Sequence, residues 1–343
     1  MKRLVAASVF AAAFGAFATD YTWKGGSSTD WTLPENYEPE AVPGSGDSVK
    51  VPENTTLRLV STDAASWAVA NRLSYVKPQT ATSYFEVEVP SEEASLECGV
   101  SYDASTWLSA GKGGLVKKGS GALHLMKGGD EKYSYYTSIT VEEGVLHAPT
   151  NITSWSLFLH DKVHVADGAA FAVAYGASGR PNNTIRGLTG GGTITNTSGR
   201  ANGEYLIIDA GTADFSGDIG GSVTFLSGAD VTLRSDSSTM TGLYFCVYNN
   251  QGAGASGAKT AFTKLGMAGG ASSLGAAPLQ FSGGRDGTAD AAGYLLYLGS
   301  GETSDKSISF GGTTAHPSYF DAGANGDLTL TGTIGLMSDA AQN

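Results

Sequence analysis

The feature that most constrains this chain is a degenerate repeat of short apolar alternations separated by glycine-bearing turns. From about residue 94 onward, strand-like pieces of four to six residues follow one another, with Gly, Asn-Gly or Asp-Gly between them. GADVTL (228–233) and NGDLTL (325–330) are near copies. A unit of this kind cannot bury its apolar face alone, so it must stack on its neighbours. The repeat therefore predicts a solenoid.

The composition and the alternation together indicate an all-β solenoid of the parallel β-helix type. Glycine accounts for 48 of 343 residues and hydrophobic residues for 41%, which argues against disorder. Leu123 and Leu125 alternate with Ala122 and His124, as expected when every second side chain points inward. Tight corners between short strands need glycine, since a side chain there meets the next coil or requires a positive φ.

Residues 113–148 carry a more specific pattern. They read GGLVKKGSGALHLMKGGDEKYSYYTSITVEEGVLHA and resemble the autotransporter-associated β-strand repeat. The matching positions are Gly113, Gly114, Leu115, Lys117, Gly119, Gly121, Leu123, Leu125, Gly128, Tyr133, Thr137, Ile139, Val141, Gly144 and Leu146. The pattern departs at Tyr135 and Tyr136, where the family usually has a glycine before the threonine.

Two further stretches, 297–335 and 23–49, are similar to other units of such repeat proteins, so the resemblance covers roughly two thirds of the chain after residue 18. It implies a right-handed parallel β-helix that is secreted or displayed on a bacterial surface.

The N-terminus has the pattern of a secretory signal peptide. Lys2 and Arg3 form a positive region, residues 4–14 are apolar, and Ala16-Phe17-Ala18 fits the small-x-small cleavage rule. We therefore predict export, to the extracellular space or the outer-membrane surface of a Gram-negative-type bacterium. No segment within 19–343 is apolar enough to predict a transmembrane helix.

The predicted organisation has three parts. These are a signal peptide (1–18), an N-terminal cap with the first coils (19–93), and a β-helix of degenerate repeats (94–343). The formal charge of −12 argues against nucleic acid as a partner. An extracellular polysaccharide, or a host or neighbouring cell surface, is the expected kind of partner.

Three aromatic residues near the N-terminus allow two interpretations. Trp23, Trp31 and Tyr37 could stack on a sugar, which makes them the candidate carbohydrate contacts. They could equally cap the first coil, whose apolar end is otherwise exposed, and we prefer the cap.

The residue pairs that could catalyse a reaction or bind a metal are better explained as ordinary strand residues. Glu86 and Glu88 would share one face about 7 Å apart, within the range of an inverting glycosidase pair, yet a solvated face explains them better. His160 and His164 would lie roughly 13 Å apart along a strand, too far to share a metal. The sequence therefore predicts no catalytic residue, no metal ligand and no cofactor.

A run of lysines and two cysteines complete the candidates. The lysines are predicted to lie on a solvated edge, where they prevent edge pairing, although they could also meet an acidic polysaccharide. They are Lys112, Lys117, Lys118, Lys127 and Lys132. Cys98 and Cys246 should lie about six coils apart, beyond disulfide reach, as two buried free thiols.

These observations predict an exported structural or adhesive β-helical protein without catalysis. The alternatives are a β-helical polysaccharide lyase or glycosidase, or a carbohydrate-binding surface protein. An enzyme should show acidic and basic residues converging on one outward groove. A stalk should show Ser, Thr, Asn and Gly there.

Overall fold

The computed structural model describes most of the chain after residue 17. The described ranges are 18–25, 28–73, 75–96, 113–126, 137–148, 157–160, 162–173, 182–196, 204–227, 229–241, 244–246, 259–282, 293–311 and 318–336. Residues 1–17 of the predicted signal peptide, and Cys98, lie outside them, so the signal peptide and the state of the thiols stay predictions.

Short strands dominate the described residues, and the one α-helix among them is α1 (Ala64–Ala70). The strands of the first half are β1 (Asp20–Trp23), β2 (Tyr37–Glu38), β3 (Ser48–Val51), β4 (Thr56–Val60), β5 (Tyr75–Pro78), β6 (Tyr84–Glu88), β7 (Glu93–Leu96), β8 (Gly114–Lys118), β9 (Ala122–Leu125), β10 (Ser138–Val141), β11 (Val145–His147), β12 (Leu157–His160), β13 (Lys162–Val165) and β14 (Ala170–Ala172). Those of the second half are β15 (Asn182–Gly190), β16 (Thr193–Thr195), β17 (Glu204–Phe215), β18 (Asp218–Ile219), β19 (Val223–Ser227), β20 (Asp230–Leu233), β21 (Tyr244–Cys246), β22 (Lys259–Phe262), β23 (Leu279–Ser282), β24 (Gly293–Tyr297), β25 (Glu302–Ser304), β26 (Ile308–Gly311), β27 (Ser318–Asp321), β28 (Leu328–Leu330) and β29 (Ile334–Leu336).

Parallel ladders join strands of successive coils. Sheet 1 runs through β4, β6, β8, β10, β13, β15, β17, β20, β22, β24 and β27. Sheet 2 runs through β7, β9, β11, β14, β16 and β18. Sheet 3 runs through β12, β15, β17, β19, β21, β23, β26 and β29, and it is continuous with sheet 1, because β15 and β17 belong to both. The result is a β-solenoid, which confirms the prediction of an all-β parallel β-helix.

The core is a set of apolar columns that run from coil to coil. In sheet 1, Leu115 pairs with Ile139 and Ile139 with Val163, with 24 residues between successive members. In sheet 2, Leu123 pairs with Leu146. All five side chains are buried. The alternation that opens the repeat therefore places each apolar residue above its counterpart in the next coil.

Glycines at the corners let neighbouring coils approach each other closely enough for this stacking. Gly119 has a φ of +77°, and a Cβ there would lie 2.4 Å from the carbonyl oxygen of Val89. Gly144, with a φ of +65°, lies in the corresponding corner of the next coil, and its Cβ would meet the carbonyl oxygen of Gly121. Both the backbone conformation and the space exclude a side chain.

The N-terminal end is closed by a small sheet and by α1. The sheet orders β2, β1, β3 and β5, and the pairing of β1 with β2 is antiparallel. The sequence pattern of residues 61–73 fits either a helix or a strand, and the structure has helix α1 there. The Asp63 side chain accepts a hydrogen bond from the Ser66 amide at 3.1 Å, an N-cap that fixes where the helix begins.

Candidate functional site

The aromatic residues proposed as sugar contacts lie inside the protein. Trp23, Trp31 and Tyr37 are at most 1% exposed. The ring centroids of Trp23 and Tyr37 are 5.2 Å apart in an edge-to-face arrangement, and the Tyr37 hydroxyl donates to the Trp31 carbonyl oxygen at 2.8 Å. No face of these rings is open to a sugar, because they pack onto the first coil and hydrogen-bond within it.

Charged residues converge on the outward face of sheet 1 near the N-terminal end. Arg58 Nε donates to Glu86 Oε1 at 2.6 Å, and Arg58 Nη2 lies 3.2 Å from Glu88 Oε2. Lys118 Nζ lies 2.9 Å from Glu86 Oε2 and 3.7 Å from Glu142 Oε2. The prediction that Glu86 sits on a solvated face is wrong, because Glu86 is only 8% exposed. Both of its oxygens are engaged by cations, which leaves neither free for proton transfer to a substrate.

Lys117 was predicted to lie on a solvated edge, and this prediction is also wrong. Its side chain is fully buried. Its ammonium donates to the carbonyl oxygens of Lys118, Gly119 and Glu143, at 2.9, 2.6 and 3.0 Å. Burial lowers the pKa of Lys117 to about 8, against the smaller opposing effect of Glu143. Lys117 therefore ties two corners together.

Lys306 is buried in a similar way near the C-terminal end, and sequence analysis did not predict this. It is 1% exposed, and its ammonium donates to Ser272 Oγ at 3.0 Å and to the Gly275 carbonyl oxygen. Burial also lowers its pKa to about 8. For Lys117 alone, the sequence held a signal: Lys117 shares the inward parity of Leu115, whereas Lys118 shares the outward parity of Val116.

We expect Lys117→Met to lower the free energy of unfolding by about 1–3 kcal/mol, because it removes the donor that the corner carbonyl groups share. Lys162→Met, at an exposed position of β13, should change stability by less than about 0.5 kcal/mol. Urea denaturation of the two variants and the parent measures this difference. Equal stabilities of both variants would contradict the role assigned to Lys117.

Two histidines stack on the outward face of sheet 2. The rings of His124 and His147 are 4.1 Å apart and nearly parallel, because the two residues pair directly between β9 and β11. Glu93 lies 3.6 Å from His124 Nε2. Burial and the neighbouring His124 hold the pKa of His147 below its ordinary value, and Glu93 opposes this shift weakly. The imidazolium form is therefore disfavoured in the folded protein.

This arrangement predicts loss of stability in mild acid. A folded-state pKa below the unfolded value means that His147 contributes stability above about pH 6.5, and that this contribution is lost as the pH falls through the folded pKa. We expect the free energy of unfolding to decline more steeply, as the pH falls below about 6.5, in the parent than in His147→Gln. The control, His164→Gln on sheet 1, should keep the parent's profile. Identical profiles for the parent and His147→Gln would contradict this expectation.

The other two candidate histidines lie on separate strands. His164 is exposed in β13, with its Nδ1 atom 3.0 Å from Thr189 Oγ1, and His160 belongs to β12. Among the described residues, no group of three or more His, Cys, Asp or Glu side chains could hold a metal ion. Within the same residues, no helix has the length and apolar character needed to cross a bilayer.

A concavity of about 480 Å³ opens on the outward face of sheet 1, toward the C-terminal half. Asp214, Asp230, Lys259 and Leu296 are among the residues that line it. Asp214 forms a two-pronged ion pair with Arg234, at 2.6 and 2.9 Å. Asp230 Oδ1 accepts a hydrogen bond from the Lys259 amide at 3.0 Å, which ties β20 to β22. Sequence reasoning missed this site, because its members come from strands of four coils.

Two tyrosines extend this site along the solenoid. Tyr294 pairs with Lys259 on one side and with Tyr319 on the other. The Tyr294 and Tyr319 rings stack with centroids 4.9 Å apart and planes 13° apart. They are 41% and 47% exposed, so this aromatic stack faces solvent, unlike the buried N-terminal aromatic residues.

No family model matches the chain, and no curated protein or solved structure matches it either. The resemblance of residues 113–148 to the autotransporter-associated repeat therefore stays a prediction that rests on the sequence pattern.

Proposed function

We propose that this chain is an exported, non-catalytic β-solenoid with a structural or adhesive role at the cell surface. The observation that carries the proposal is the outward face of sheet 1. This face runs from coil to coil and holds the concavity at Asp230 and Lys259, beside the exposed stack of Tyr294 and Tyr319. A long scaffold with one such lateral face suits attachment to an extended partner.

Export is supported by the sequence. The positive N-terminus, the apolar segment 4–14 and the Ala16-Phe17-Ala18 site form a signal-peptide pattern. The resemblance of residues 113–148 to a repeat of exported bacterial proteins agrees with it. The acidic balance of the chain is compatible with a solvated surface protein.

A polysaccharide-active enzyme is the second candidate, because charged residues do converge on the outward face of sheet 1. Asp214 and Asp230 are the best-placed carboxylates: the strand spacing and a two-residue offset put their Cα atoms roughly 8 Å apart. An inverting glycosidase needs one of the pair to hold a proton near neutral pH. Arg234 lowers the pKa of Asp214, which opposes that role. Binding therefore accounts for this surface better than catalysis does.

The proposal predicts processing and export. When the full chain is produced in a Gram-negative host, we expect a mature form that begins at Thr19 and lies outside the inner membrane. A chain without residues 2–18 should remain in the cytoplasm. N-terminal sequencing and cell fractionation measure both outcomes. An uncleaved product that stays in the cytoplasm would contradict export.

The same mature protein separates adhesion from catalysis. Beads coated with it should retain extracellular polysaccharide or whole cells, and the polysaccharide should keep its length. Release of new chain ends that Asp230→Asn abolishes would favour the enzyme instead.

A further inference from the structure

We infer that the concavity on sheet 1 is a binding site for an uncharged oligosaccharide. The inference rests on the proposed adhesive function, and it names the class of partner that this face takes. It also moves the carbohydrate contact from the buried N-terminal aromatic residues to the opposite half of the solenoid.

The shape of the site follows from the registry of the coils. Asp214, Thr232, Ala261 and Leu296 succeed one another in a single outward column. Thr232 and Ala261 are small, so the column dips between larger neighbours. The resulting volume of about 480 Å³ falls within the range of about 300–1,000 Å³ that is typical of small-molecule sites.

The charges around the site are mixed. Asp214 and Asp230 are offset by Arg234 and Lys259, and Asp321, which follows Leu296 in the same column, adds a further negative charge. An anionic polymer would therefore meet more like charges than opposite ones, which weakens its binding. Carboxylates that accept hydrogen bonds and cations that donate them both suit sugar hydroxyl groups, which can do either.

The apolar side of the site comes from the next coil. Leu296 lines the concavity, and Tyr294 projects outward two residues earlier on the same strand, β24. These side chains offer an apolar surface to the C–H face of a sugar ring. The stack of Tyr294 on Tyr319 already orders both rings, so binding costs little further side-chain entropy.

Isothermal titration of the purified mature protein tests the inference. The probes are soluble cello-, malto-, laminari-, manno- and xylo-oligosaccharides, with oligogalacturonate as the charged comparison. We expect at least one uncharged probe to bind and oligogalacturonate to bind more weakly. Tyr294→Ala and Asp230→Asn should each weaken the binding of that uncharged probe about tenfold or more.

The matched control is Tyr84→Ala. Tyr84 is 36% exposed on the outward face of sheet 1, at the other end of the solenoid, and its loss should leave the affinity unchanged. Thermal unfolding of each variant shows that the fold is kept. A further variant at an exposed position, Lys259→Gln, gives an independent measure of the same site.

Three results would overturn the inference: no binding of any uncharged probe, tighter binding of oligogalacturonate, or binding that survives the Tyr294, Asp230 and Lys259 substitutions. The proposed function is tested separately. If one of these three results is obtained while the parent protein is exported and coats beads that retain cells, the adhesive role stands and the oligosaccharide site fails. If the parent protein is not exported, the adhesive role fails whatever its sugar affinity.

Discussion

Backbone hydrogen bonds between neighbouring coils are the interaction on which the rest of this structure depends. The amides of Gly121 and Ala122 donate to the carbonyl oxygens of Val89 and Glu92 in the preceding coil, at 2.8 and 3.2 Å. Such bonds require that the corners of neighbouring coils lie in close contact. The corners meet this requirement because positions such as Gly119 carry no Cβ, and because Lys117 donates to the corner carbonyl oxygens of Gly119 and Glu143.

The same stacking determines how surface chemistry is assembled. Residues that are far apart in the sequence become direct neighbours when they hold equal positions in successive coils. The stacked rings of His124 and His147, and of Tyr294 and Tyr319, arise in this way. A functional surface on such a fold is therefore built across coils, column by column, and a local motif cannot reveal it.

The sequence predicted much of the fold because its signals are local. The alternation at Leu123 and Leu125 gives the inward phase, and the glycines mark the corners. Burial of Lys117 was predictable in principle from its parity with Leu115, but a charged residue was assigned to solvent by its type. Trp23 and Trp31 were ambiguous, because a capping role and a sugar-binding role use the same residue types.

The concavity could not be predicted, because it depends on which residues of successive coils are paired. In the region 113–165 the paired residues of successive coils are separated by a constant step of 24, from which the pairing could have been predicted. Farther along, 18 residues separate Ala213 from Val231, whereas 35 separate Thr260 from Leu295. The pairing of Lys259 with Tyr294 follows from loops of unequal length, whose lengths are not encoded in the strand pattern.

The most direct test of this account is a pair of spin-label distances along one outward column of sheet 1. In a chain with Cys98 and Cys246 replaced by serine, labels at positions 140 and 232 should lie about 19 Å apart, four coil steps of about 4.8 Å. Labels at positions 140 and 321, three steps farther, should lie about 34 Å apart. A second distance that does not exceed the first would contradict the stacked solenoid and the binding surface built on it.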